Sequence, residues 1–282
     1  MEFLIGADPE LFVRKGRYKV SAHDLLPGTK KDPVPVPGGA IQVDGTAAEF
    51  NIDPAKNLEE FKGNISLVVK ELDERLKAID PNYSLEAKPS RIYSTKRWES
   101  IPGSAKELGC DPDFNAYTGG MNPRPLPPID GLRSGGGHVH VGWTKGADLT
   151  DPTHILDCRM VIKAMDFILL PLSRYWDRDK KRRQIYGNPG AFRPKSYGVE
   201  YRTLSNAWVM DEKLQEIVYR GTGLALRLLE ESEEVTASLM RSNRYDTGRY
   251  QGPLEYLYGA YSQEYKALKT MASNWDRDHA VG

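Results

Sequence analysis

Four pairs of polar residues stand at a spacing of two: Asp8 and Glu10, Glu49 and Asn51, His138 and His140, Glu200 and Arg202. In a strand, residues i and i+2 share a face. Four such strands would line one sheet face with carboxylates, imidazoles and a guanidinium. Acids with a histidine are a ligand set for hard divalent cations. Carboxylate oxygens suit Mg2+ or Mn2+, imidazole tilts toward Mn2+, and His-X-His with a carboxylate also holds zinc. The plain alternative is a solvated sheet face. Such faces are usually rich in Lys, Thr, Glu and Ser, whereas these pairs sit beside Gly6, Gly45, Gly137, Gly142 and Gly198.

A second group is basic. Arg182, Arg183, Arg193, Lys195 and Arg202 lie between positions 182 and 202, interleaved with Tyr186 and Tyr197. Guanidinium forks bind phosphate oxygens in pairs. Metal ligands and arginines around one cleft are what phosphoryl transfer requires, because that reaction depends on positioning and charge neutralisation.

The elements that must position these residues follow from periodicity. Residues 2–13 read as a strand kinked at Pro9. "HDLLPGTKKDPVPVPGG" reads as loop, and "AIQVDGTAAEFNI" as strand, tight turn and strand. Asp53-Pro54 looks like a helix start. Leu58, Phe61, Ile65, Val69, Leu72, Leu76 and Ile79 then form one apolar stripe of a long helix. Residues 81–133 read as mostly irregular. A second long helix starts at Asp151-Pro152, with a kink expected near Pro171. "RDKKRRQIYGNPGAFRPKSYG" reads as a basic loop and "VEYRTLS" as a strand. From about residue 211 the pattern is helical almost to the end. Strands with long connections, followed by helices, indicate an α+β fold with a largely antiparallel sheet. Helices would cover one face and the site would occupy the other. No linker divides residues 1–282, so one domain is expected.

Composition removes several function classes. The 282 residues carry 39 Lys plus Arg against 39 Asp plus Glu, so no global charge steers the chain to nucleic acid or to a membrane surface. The opening "MEFLIGADPELF" has no signal-peptide pattern, and "MVIKAMDFILLPL" is too short and too charged to span a bilayer. Two cysteines, Cys110 and Cys158, make neither a disulfide framework nor a zinc quartet. A cytoplasmic protein is the simplest expectation. There is no P-loop, no strand-linked G-x-G-x-x-G and no G-x-S-x-G elbow.

"GADPELF", "VDGTAAEFN", "GGGHVHVG" and "YGNPGAFRPKSYGVEYRTLSN", in this order, resemble the carboxylate–amine ligases of the glutamine synthetase-like superfamily. The nearest group is the amidoligase type 2 group, known largely from bacteriophages, which implies the host cytoplasm if the chain is phage-encoded. The resemblance covers about residues 3–210. It implies a curved catalytic sheet around an ATP site, with Mg2+ or Mn2+ as cofactor. Asp8, Glu10, Glu49 and Glu200 would bind metal. His138 or His140 would bind metal or phosphate. Arg193 and Arg202 would neutralise the transferring phosphoryl group, and Arg183, Lys195 and Tyr197 would contact the nucleotide. Relatives often have Glu-X-Glu where this chain has Asp8-Pro9-Glu10. The substrates would be a small-molecule or peptide carboxylate and an amine, with Asp44 as the amine's binding site or base. The acyl phosphate made from ATP would be the intermediate. Competing readings are a phosphotransferase of related fold, a metal-dependent hydrolase, and a metal-stabilised phage protein without catalysis. Nothing in the sequence names the two substrates or the oligomeric state.

Overall fold

A computed structural model describes residues 3–106, 113–123, 127–245 and 257–279. Cys110 lies outside these. Twelve strands are present among the described residues. They are β1 (Leu4–Lys15), β2 (Tyr18–Val20), β3 (Val34–Val36), β4 (Gly39–Asp44), β5 (Ala47–Ile52), β6 (Tyr83–Glu86), β7 (Ser90–Ile92), β8 (Phe114–Asn115), β9 (Leu132–Ser134), β10 (Gly137–Gly142), β11 (Ala191–Lys195) and β12 (Gly198–Tyr201). Ten build one antiparallel sheet in the order β3-β4-β5-β1-β10-β12-β11-β8, with β2 and β6 also paired to β1. The small pair β7–β9 stands apart. The helices are α1 (Leu58–Ile79), α2 (Thr95–Glu99), α3 (Gly103–Lys106), α4 (Pro152–Ser173), α5 (Glu212–Glu231), α6 (Glu233–Arg241) and α7 (Gly259–His279). The fold is α+β, as the pattern of elements indicated.

The strands alternate as their sequences require. Ile5, Ala7 and Leu11 of β1, Phe50 of β5, Val139 and Val141 of β10, and Val199 and Tyr201 of β12 are buried in one apolar cluster. That cluster is closed by helices: α1 packs on β4 and β5, α4 on β11 and β12, and α5 on both α1 and α4. The opposite face is left to the polar partners of those residues. The β4–β5 hairpin is made possible by Gly45, which adopts φ +56° in the two-residue turn. No described helix is long and apolar enough to cross a membrane.

Several element boundaries differ from the sequence reading. Asp53-Pro54 does not start α1. That segment stays extended, because Ala55 bridges to Ile5 with both backbone bonds made. The cap is Asn57, whose side chain accepts from the Glu60 N–H at 2.9 Å while Glu60 accepts from the Lys56 N–H at 2.8 Å. The buried stripe of α1 runs through Val68 rather than Val69, and Ile79 is exposed. "VPV" within the expected loop is an edge strand, where Pro35 is tolerated because an edge leaves donors unpaired anyway. The described residues among 83–134 include four short strands and two short helices set in otherwise irregular chain. Five residues of the expected basic loop, Ala191–Lys195, are strand β11, paired on both sides. Asp151 caps α4 as expected, and Pro171 lies in its last turn.

Candidate active site

The registers put the four polar pairs on one surface. Asp8 faces His138 across β1 and β10, Gly6 faces His140, and His140 faces Glu200 across β10 and β12. On the other flank Glu10 faces Glu49, and Glu49 faces Gln42. Arg193 of β11 faces Glu200. The result is a band across six strands, acidic at the β4–β5–β1 end and basic at the β12–β11 end.

Distances are short at its centre. Asp8 Oδ1 lies 3.2 Å from His138 Nδ1 and 3.0 Å from His140 Nε2, and His138 Nδ1 lies 3.4 Å from Glu200 Oε1. Asp8, His140 and Glu200 each offer a donor atom within 4.8 Å of the others. Tyr197, at the β11–β12 turn, puts its hydroxyl 2.5 Å from His140 Nδ1. This fixes the ring so that Nε2 faces Asp8. Glu200 is fully buried, pairs closely with Arg202 Nη1, and takes Lys195 Nζ at 2.8 Å on its other oxygen. Glu10 accepts from the Gly136 N–H at 2.9 Å. Asp44 ends β4 and pairs with Lys30 at 2.6 Å.

The electrostatics divide along the same band. Burial raises the carboxyl of Glu49 well above its ordinary range, and the charges of Asp8, Asp44 and Glu10 add to this. Burial and Asp44 raise Glu10 as well. Burial and Asp8 also act to raise Glu200, but Arg202, His138 and His140 outweigh them and hold it at about 2. For Asp8, burial is opposed by His140 and His138, and the net shift is well below the usual carboxylate range. His140 is raised, because Asp8 and Glu200 together exceed its desolvation.

These residues fit a divalent cation. Glu49 Oε2 is buried with no hydrogen-bond partner among the described residues. A carboxylate in that position, crowded by three like charges, is relieved either by a proton or by a bound cation. The donor set of carboxylates with one or two imidazoles suits Mg2+ or Mn2+. Beside it, a cavity of about 820 Å³ opens between Asp8 and His140 on one side and Trp143 and Tyr197 on another, with Gly6 and Gly142 on its wall.

The sequence profile of the family described as Phage phiEco32-like COOH.NH2 ligase-type 2 matches residues 126–281, more than half of the chain. The chain belongs to this ligase family. The matched segment contains His138, His140, Arg193, Glu200 and Arg202, whereas Asp8, Glu10, Asp44 and Glu49 precede it. Among solved structures, the chain is similar to one described as the complex between prokaryotic ubiquitin-like protein Pup and its ligase PafA. Identity is 10%, the TM-score is 0.42, and 98% of this chain and 64% of that chain are covered. It is also similar to one described as a novel glutamine synthase homolog, with 12% identity, a TM-score of 0.33, and coverage of 99% and 71%. The chain thus spans under two thirds of the length of the first. No curated protein matches it.

Of the residues expected in a ligase site, the structure brings Asp8, Glu10, Glu49, His138, His140, Lys195, Tyr197, Glu200 and Arg202 onto one face. Arg193 lies on the same face, opposite Glu200, with its guanidinium 3.9 Å from Asp113. Arg183 instead pairs with Asp177, 3.9 Å between charged atoms, with the Asp177 carbonyl at 3.5 Å. Its neighbour Arg182 is buried and donates to the carbonyls of Thr203 and Leu204 at 2.9 and 2.7 Å, which braces the chain just after β12. Sequence reasoning missed Asp113. Its Oδ1 lies 2.6 Å from Arg202 Nε and 3.9 Å from Arg193 Nη2, so it holds both guanidiniums. The run "CDPDF" has Asp111 and Asp113 at the same spacing of two, but it falls in the stretch read as mostly irregular.

Proposed function

We propose that the protein is an ATP-dependent carboxylate–amine ligase that forms an amide bond through an acyl phosphate. The observation that carries this is the division of one sheet face into a carboxylate–imidazole end with the buried, unpartnered Glu49 oxygen and a guanidinium end braced by Asp113. Membership of the COOH.NH2 ligase family supports the reaction class. ATP and the carboxylate substrate are both anions, and a site that brings them together must cancel their repulsion.

Asp8, Glu10, Glu49, Glu200 and one or both histidines would hold Mg2+ or Mn2+. The cations supply charge neutralisation on the phosphate oxygens. Arg202 and Arg193 bind the oxygens of the transferring phosphoryl group, with Lys195 and Tyr197 at the nucleotide. The cavity beside Asp8 and His140 takes the nucleotide, and the glycine wall lets a flat ring approach the sheet. In the first step a carboxylate oxygen attacks the γ-phosphorus and ADP leaves. In the second the amine nitrogen attacks the acyl carbon, the bond to phosphate oxygen breaks, and phosphate leaves. The amine gives up a proton, and Asp44, at the acidic end of the band, accepts it or holds the amine beforehand.

The test is untargeted. Protein, Mg-ATP and a metabolite and peptide extract are incubated, and mass spectrometry is searched for products equal to an acid plus an amine less water. Such products should form with wild type and vanish with Glu10→Gln. ADP release that needs no amine would support a phosphotransferase instead, and no nucleotide turnover would leave a non-catalytic protein.

A further inference from the structure

Strands β11 and β12 carry Arg193, Lys195 and Glu200 on the site face. From the opposite face they are tied to one stripe of α4. His154, Cys158 and Asp166 recur along that helix at spacings of four and eight, which places them on one side. His154 Nε2 lies 2.9 Å from the Lys195 carbonyl, and the Cys158 thiol donates to the Gly198 carbonyl at 3.4 Å. Both contacts are near the hairpin's turn. Asp166 secures the other end. Its Oδ1 accepts from the Tyr201 hydroxyl at 2.7 Å and its Oδ2 accepts from the Gly190 N–H at 2.6 Å. The side chains of Tyr117 and Thr203 also hydrogen-bond to it.

Asp166 is fully buried in an otherwise largely apolar part of α4. An acid there needs a physical reason, because burying it is costly unless its oxygens are satisfied. The reason is the number of donors that converge on it. Burial pushes its carboxyl up to about 7, and these donors oppose that by favouring the ionised form, which accepts several hydrogen bonds and brings no donor of its own. Tyr201 stands between Glu200 and Arg202, and Gly190 immediately precedes β11. Rotating Tyr201 about the strand axis moves both neighbours, which point to the other face.

We infer that Asp166 is a positioning residue: acting through Tyr201 and Gly190 from behind the sheet, it sets the aim of Glu200 and Arg202. The aim matters because displacements near 1 Å at reacting groups reduce rates by about a hundredfold. The inference rests on the metal and phosphate roles proposed for those two residues.

The test uses the full chain, with Asp166→Asn and Tyr201→Phe. Asparagine keeps the volume but turns an amide donor toward one of the donors, while phenylalanine removes only the hydroxyl. Should the first variant fail to fold, the second carries the test. Two readouts are taken: backbone hydrogen exchange, and Mn2+ titration followed by electron paramagnetic resonance. Exchange across residues 190–202 is expected to quicken by about tenfold or more while β1 and β10 keep their protection. Mn2+ affinity is expected to fall by about 10- to 100-fold, as for other groups that orient a ligand. Unchanged exchange across 190–202 in the folded variants overturns the inference. Faster exchange with unaltered Mn2+ affinity also overturns it, since the tie would then be structural alone. Wild-type protein that binds no Mn2+ would sink the metal reading of the site, and the exchange readout would still decide whether Asp166 holds the hairpin.

Discussion

Glu49 and Arg202 show opposite ways of keeping a charge inside a protein. Glu49 is raised far above its ordinary value near 4.5 by burial and by three neighbouring acids. A raised carboxyl contributes stability that is present below its ordinary value and lost as pH rises through the raised one. In chelator, wild type should therefore lose melting temperature relative to Glu49→Gln, which does not titrate, as pH rises above the ordinary carboxylate range. Mn2+ should reverse the order at pH 8 by stabilising only the wild type. Equal melting curves in chelator at pH 8 would show that Glu49 is not an unbalanced charge. Arg202 is balanced instead, by Glu200 on Nη1 and Asp113 on Nε. Lysine at 202 keeps the charge but cannot hold both partners. With an acid–amine pair from the extract screen, Arg202→Lys should lower kcat for ADP release by about 100-fold or more while moving the KM for ATP only a few-fold. An unchanged kcat would remove Arg202 from the site. Both residues were legible in the sequence, because a period-two polar pair beside glycine is a local pattern. Asp113 was not, because its role comes from meeting Arg202, eighty-nine positions away, and no local pattern encodes such a meeting.

At the scale of elements, β10 explains why three glycines precede two histidines. A Cβ on Gly137 would lie 2.6 Å from Trp208 Nε1 and 2.7 Å from the Ser205 carbonyl carbon. Gly137 also accepts from that indole through its carbonyl at 3.1 Å, and its N–H donates to the Leu204 carbonyl at 3.1 Å. The strand is thus pressed against the segment that follows β12, and only a bare backbone fits. Gly137→Ala must shift either β10 or that segment. It should cost about 1–3 kcal/mol of stability, as overpacking does, read by chemical denaturation. Because His138 is the next residue, Mn2+ affinity should fall as well. A fully stable variant with normal Mn2+ binding would mean that the contact yields without moving the site. The glycine run is visible in the sequence, but what packs against it is not. Likewise β11 looked like basic loop, since Pro194 stands inside it and the run around it is dense in glycine and basic residues. Pairing with β8 and β12 makes it a strand, and that pairing is a long-range fact. The mistaken start of α1 has the same origin: Pro54 is a good first helical residue, but the bridge between Ala55 and Ile5 keeps its segment extended.

At the scale of the whole chain, the proposed site cannot be divided at the edge of the family match. Strand β1 is the middle of the sheet, hydrogen-bonded to β5 on one side and β10 on the other. It carries Asp8 and Glu10, while β10 and β12 carry the histidines and Glu200. The segment matched by the family profile begins at residue 126 and therefore holds the basic half of the band and lacks the acidic half. A fragment of residues 126–282 would leave β10 as an open edge, with the N–H and C=O groups that now pair with β1 unpaired, and such edges recruit other chains. It would also uncover the face of α5 that packs on α1. The fragment is expected to aggregate or to melt without cooperativity, and to bind no Mn2+. Co-expression with residues 1–125 should recover soluble complex and Mn2+ binding, because the missing strand and carboxylates return together. Size-exclusion chromatography and calorimetry decide the matter. A monodisperse fragment that melts cooperatively and binds Mn2+ alone would show that Asp8, Glu10 and Glu49 are not the metal-binding half of the site.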